Sequence, residues 1–168
     1  QAYSQTISDL AGNSASAGVS NVDVDTVAPS INASVSPARP ASGWWNIASG
    51  APTVTYTCSD ATSLVASCTT PYLFLEDVDQ SHTGTAVDNA GNTASTGVND
   101  IDVDLTSPTV AWDPGVYADG ASFYFGFVPA WPPNPCVAGD LLSGPNGCAI
   151  TGYATTVGTH TLTATAYD

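Results

Sequence analysis

Short stretches in which apolar and polar side chains alternate recur along most of this chain, and none sustains the three-to-four-residue spacing of an amphipathic helix. Ile31, Ala33 and Val35 alternate with Asn32, Ser34 and Ser36, and Val54, Tyr56 and Cys58 with Thr53, Thr55 and Thr57. Successive side chains of a strand point to opposite faces, so each stretch predicts a strand with one face buried. Ser14 to Val24, Tyr72 to Leu75, Thr83 to Val87, Thr109 to Trp112, the Phe123–Phe125–Phe127 alternation and Leu162 to Tyr167 extend the series. Turn-forming residues separate them, among them Pro37 to Pro40, Ser42-Gly43 and the Pro-rich run from Pro129 to Pro135. Many short strands punctuated by turns predict an all-β protein built as a β-sandwich.

The pattern is periodic on a larger scale. Asp88-Asn89-Ala90-Gly91-Asn92, followed by a strand-like run and Asp102-Val103-Asp104 up to Pro108, has an earlier counterpart. Asp9-Leu10-Ala11-Gly12-Asn13 leads in the same way to Asp23-Val24-Asp25 and Pro29, and residues 9 and 88, 23 and 102, 25 and 104, and 29 and 108 all differ by 79. An uninterrupted internal repeat predicts an array of similar units. Residues 1–27 read as the last two strands of one unit, 28–106 as a complete unit and 107–168 as a unit without its final strand. Two explanations of the incomplete ends stand side by side: an excerpt of a longer array, or donation of the N-terminal strands to a neighbouring subunit, giving head-to-tail assembly.

Units this small bury a modest core and need staples. The four cysteines supply them: Cys58 and Cys136 occupy matching places, as do Cys68 and Cys148, which favours Cys58–Cys68 and Cys136–Cys148 among the three possible pairings. Paired cysteines of this kind predict an oxidising, extracellular setting.

The Trp-rich turn Trp44-Trp45, the strand into Cys58, Ser59-Asp60, Cys68, the Asp88–Asn92 motif and Asp102-Val103-Asp104 before Pro108 together resemble the bacterial Ig-like repeats found in tandem in large surface and secreted proteins. The resemblance covers nearly the whole chain. It implies tandem immunoglobulin-like sandwiches with a repeat of about 79 residues, serving as the non-catalytic unit of a surface filament, stalk or adhesin. It also implies calcium near domain junctions, as several relatives bind it, and names no ligand at the tip.

Charge narrows the partners. The chain has 15 acidic residues against one Lys or Arg, Arg39, and a formal net charge of −14. Nucleic acid and anionic membranes are therefore excluded, since binding phosphate needs basic side chains. Expected partners are copies of the chain or adjacent repeats, cations, and surface glycans. No stretch has the apolar length of a membrane span, and no signal-peptide pattern is present, so the chain reads as a mature protein or an excerpt.

A hard cation takes six to eight oxygens. The candidate calcium ligands are Asp9, Asn13, Asp23 and Asp25 in the first copy of the motif and Asp88, Asn92, Asp102 and Asp104 in the second, with Asp60 or Asp113 joining from neighbouring loops. The competing reading makes Asp88 and Asn92 an Asx turn with Gly91 at positive φ, and leaves the linker acids solvated. Trp44, Trp45 and Trp131 are read as packing residues or as a sugar-stacking platform, Trp131 being the one placed for binding by its Pro-rich loop. A carbohydrate-binding or other ligand-binding accessory module of a secreted protein is accordingly the alternative function. Asn32-Ala33-Ser34 fits a glycosylation sequon. His82 and His160 fall at unmatched places in the repeat, and no nucleophile with an oriented base is present, so no enzyme is expected.

Overall fold

The computed structural model describes residues 1–112, 119–124 and 136–168. Asp113, Phe125, Phe127 and Trp131 lie outside the described residues. The chain is all-β, and no helix occurs among the described residues. In chain order the strands are β1 Tyr3–Ser8, β2 Ser14–Val19, β3 Ser30–Ser36, β4 Trp44–Trp45, β5 Thr53–Ser59, β6 Val65–Cys68 and β7 Tyr72–Leu73. They continue with β8 Asp77–Asp88, β9 Thr93–Val103, β10 Thr109–Trp112, β11 Cys136–Gly139, β12 Gly147–Thr151 and β13 Thr163–Tyr167. Hydrogen bonding orders them as a three-stranded sheet β3-β5-β7, a four-stranded sheet β4-β9-β8-β6, and the pairs β1-β2, β10-β11 and β12-β13. Multiple sheets joined without helices are consistent with a β-sandwich.

Two compact units divide the chain: residues 1–34, 54–72 and 82–98, and residues 35–53, 73–81 and 99–168. In the first unit, β5 alternates as the sequence predicts, with Val54 and Tyr56 buried and Thr55 and Thr57 exposed. The disulfide Cys58–Cys68, with Cα atoms 6.0 Å apart, joins β5 of one sheet to β6 of the other. Gly84 on β8 lies directly against the Tyr56 ring of β5. A Cβ there would come within 2.4 Å of the Tyr56 ring, so only glycine leaves room for that ring. The Tyr56 hydroxyl donates to the His82 carbonyl at 3.0 Å and lies 2.9 Å from His82 Nδ1, which satisfies a polar group the core would otherwise penalise. The Tyr72 ring stacks on His82, centroids 4.1 Å apart. The β1-β2 hairpin, in register from Tyr3 opposite Val19 to Ser8 opposite Ser14, is exposed on both faces.

The second unit centres on Trp45, Pro52, Phe74 and Val103, all fully buried. Trp45 Nε1 donates to the Pro37 carbonyl at 3.0 Å, and the Arg39 guanidinium lies over the indole, 5.8 Å from its centroid. Trp44 and Trp45 pair in parallel with Asp102 and Val103 at the end of β9. Of the two readings of this Trp pair, packing therefore holds for Trp45. In the same unit β10 pairs with β11, β12 with β13, and Cys136 is bonded to Cys148.

Strand ends depart from expectation where tertiary contacts compete with local pattern. The predicted strand from Ser14 to Val24 stops at Val19, two residues before Asn21 takes a left-handed φ of 60°. Tyr72–Leu75 yields only Tyr72–Leu73; Phe74 is instead drawn into the core, its N–H donating to Pro52. β8 begins at Asp77, well before Thr83. Phe123 and Tyr124 lie outside any strand.

Candidate metal centres

The repeated Asp-x-Ala-Gly-Asn motif builds one turn twice. Asp88 Oδ1 accepts the N–H groups of Ala90 and Asn92 at 2.9 and 2.8 Å, and Asn92 Nδ2 donates to Asp88 Oδ2 at 2.8 Å. Asp9 receives the same three bonds from Ala11 and Asn13, at 2.9, 2.9 and 2.8 Å. Gly12 and Gly91 both sit in the left-handed region, at φ of 89° and 90°, which explains the glycine in each copy. The Asx-turn reading of the motif is thus the observed local structure. Its environment differs between copies: Asp9 is exposed, whereas Asp88 is 2% exposed. Hydrogen bonds from the Asn13 side chain and backbone hold Asp9 below the ordinary carboxylate range. Burial pushes the Asp88 carboxyl up, but the bonds from Asn92, Ala90 and Gly91 outweigh it and leave the group lowered.

Around Asp88 the first unit gathers two further acids. Asp60 heads the loop after β5, where its Oδ1 accepts the N–H groups of Thr62, Ser63 and Leu64 at 3.0, 2.8 and 3.0 Å. Asp25 comes from the segment before Pro29 and accepts the Val27 N–H at 2.9 Å. The segment is pinned by Asn92, whose amide nitrogen is 3.3 Å from the Asp25 carbonyl and 3.2 Å from that of Val27. One carboxylate oxygen from each of Asp25, Asp60 and Asp88 then lies within 4.8 Å of the others.

The second unit contains the counterpart: Asp104, Asp140 and Asp168 form a triad with the same limit on spacing. Residues 25 and 104 differ by 79, and 60 and 140, like 88 and 168, by 80. Corresponding places in the repeat therefore build corresponding clusters. Calcium–oxygen distances run from about 2.3 to 2.6 Å, so oxygens on opposite sides of one ion stand about 5 Å apart. Both triads fit that span, and without a cation their carboxylates repel one another. Asp104 is 3% exposed; burial raises its carboxyl, but bonds from Ser143 and the Thr106 N–H prevail and lower it.

The other candidate residues are placed differently. Asp9 and Asn13 close the exposed β1-β2 turn. Asp23 lines a surface concavity beside Asp25, with Thr62, Ser63 and Asn89. Asp102 binds Arg39 at 3.1 Å and accepts the Asp79 N–H at 2.8 Å. The sequence reading missed Asp140 and Asp168, although the repeat offset that matched the cysteines also carries Asp60 onto Asp140 and Asp88 onto Asp168. Of the histidines, His82 serves Tyr56, and His160 Nε2 lies 2.8 Å from the Thr156 carbonyl.

Among the described residues no helix is long and apolar enough to cross a membrane. The two disulfides fit an oxidising compartment. No family model, curated protein or solved structure matches this chain.

Proposed function

We propose that this chain is a non-catalytic, extracellular array of immunoglobulin-like sandwiches, acting as a spacer in a surface filament, stalk or adhesin, with calcium at its linkers. The observation that carries this reading is the acidic triad found at corresponding places in both repeats. In each, one acid comes from the linker, Asp25 or Asp104, one from the loop after β5 or β11, Asp60 or Asp140, and one from the end of β8 or just past β13, Asp88 or Asp168. A cation held by all three fixes the linker against the other two segments and so sets the angle and stiffness of the joint. Calcium suits the all-oxygen ligands and irregular loops better than magnesium, which demands near-ideal octahedral geometry. The exposed apolar residues of β1-β2, Tyr3 and Ile7 among them, are covered by an adjoining repeat, either of the same polypeptide or of a second copy donating or accepting strands.

Thermal unfolding tests the cation reading. A ligand that binds only the folded state stabilises it by about 2.7 kcal/mol at one hundred times its Kd. The melting temperature of the chelated protein is expected to rise on adding calcium, and an unchanged melting temperature across millimolar calcium would count against calcium at these linkers.

A further inference from the structure

The two triads match in position but differ in how the chain itself satisfies their carboxylates. In the loop of the first, the Asp60 carboxylate collects three successive N–H groups, those of Thr62, Ser63 and Leu64. In the second, among the described residues, Asp140 Oδ1 accepts the outer two N–H groups, from Leu142 at 3.0 Å and Gly144 at 2.9 Å, and the Ser143 hydroxyl at 3.4 Å. The middle N–H, that of Ser143, turns to Asp104 Oδ2 at 3.0 Å. Asp104 Oδ1 accepts the Thr106 N–H at 3.0 Å, so both of its oxygens have protein donors. Asp25 has one: Oδ1 accepts from Val27, while Oδ2 is buried and has no hydrogen-bond partner.

A buried carboxylate oxygen without a donor is costly, and a cation or a proton relieves it. Where a backbone N–H already fills that role, a cation has less to add. We propose, building on the reading of the triads as calcium sites, that the sites are unequal. The Asp25–Asp60–Asp88 site binds calcium tightly and depends on it for order, whereas the Asp104–Asp140–Asp168 site is held by the Ser143 N–H and binds at least about tenfold more weakly. Successive linkers of one array then empty at different calcium concentrations: the Asp104 site releases its ion first and is still held by the Ser143 N–H, whereas the joint at Asp25 keeps its ion to lower calcium and loosens when that ion leaves.

Calorimetric titration of the intact chain with calcium chloride separates the possibilities. Two steps at least tenfold apart in Kd are expected, with Asp25→Asn abolishing the tight step and Asp104→Asn leaving it intact. Because either variant can unfold, calcium titration of the unsubstituted chain by amide NMR supplies the second readout. Resonances of residues 62–64 and 88–92 should move at lower calcium than those of residues 142–144. Two steps of equal affinity, or loss of the tight step in Asp104→Asn alone, would overturn the ranking while leaving calcium binding standing. Absence of any calcium binding would overturn the ranking together with the cation reading on which it rests.

Discussion

At Gly84 the absence of a single methyl group decides whether the Tyr56 ring can lie flat between two sheets. Gly84→Ala puts a Cβ within 2.4 Å of ring carbons, so either the ring or β8 must move. Overpacking of this kind costs about 1–3 kcal/mol, and the denaturation midpoint is expected to fall accordingly. Tyr56→Phe keeps the packing but removes the hydroxyl that donates to His82, and should cost about 1 kcal/mol in the same assay. Asp9 gives a pH prediction. Its folded-state pKa is lowered from 3.8 by Asn13, so its contribution is complete above 3.8 and is lost as pH falls through the lower folded value. An NMR titration should therefore place its midpoint below 3.8, with Asn13→Ala moving it back up. At this scale the sequence was informative about the Asp-x-Ala-Gly-Asn turn, because all its partners lie within four residues. It was silent on Gly84, because the Tyr56 ring arrives from another sheet.

Among the elements, the disulfides are the plainest case of a feature legible in spacing. Cys58 and Cys68 are 10 residues apart and Cys136 and Cys148 are 12 apart, so each bridge closes a short loop and ties together two consecutive strands of different sheets. On the chain-entropy estimate a loop of this length contributes about 2–3 kcal/mol. Replacing Cys58 and Cys68 together by alanine is expected to lower unfolding stability by that amount, measured by denaturant titration. Period-two alternation placed β3 and β5 well, since a half-buried strand writes its two faces into sequence. It did worse with β4, where Trp44-Trp45 is too short to show a period, and with the start of β8 at Asp77, where polar residues run through an exposed stretch. Asp102 and Asp104, two residues apart and both named as calcium candidates, meet the same limit. β9 ends at Val103, so alternate spacing no longer governs Asp104, which accepts from Ser143 while Asp102 binds Arg39.

For the molecule as a whole, its charge of −14 makes cations the natural counterions. Removing calcium should act at the linkers first. Small-angle scattering of the chelated chain is expected to show greater linker flexibility than in millimolar calcium, with identical profiles arguing against a joint stiffened by the ion. Sedimentation across a concentration series tests the covering of β1-β2 by a second copy: concentration-dependent oligomers are expected if copies exchange strands there, and a constant monomer counts against it.

Sequence by itself determined the all-β character, the two copies of the Asp-x-Ala-Gly-Asn motif at one offset and the cysteine spacing, and offered the Asx turn as one of two readings, since each is encoded by local pattern or by comparison of the chain with itself. Only the tertiary structure decided which acids meet. Asp25, Asp60 and Asp88 are distant along the chain and converge because Asn92 holds the linker, β5 delivers the Asp60 loop and β8 ends at the turn. The difference between the two triads lies deeper still, in the direction of one backbone N–H, that of Ser63 or Ser143. Both residues are serines, so no reading of side chains along the sequence distinguishes them; the fold sets the orientation of the peptide groups.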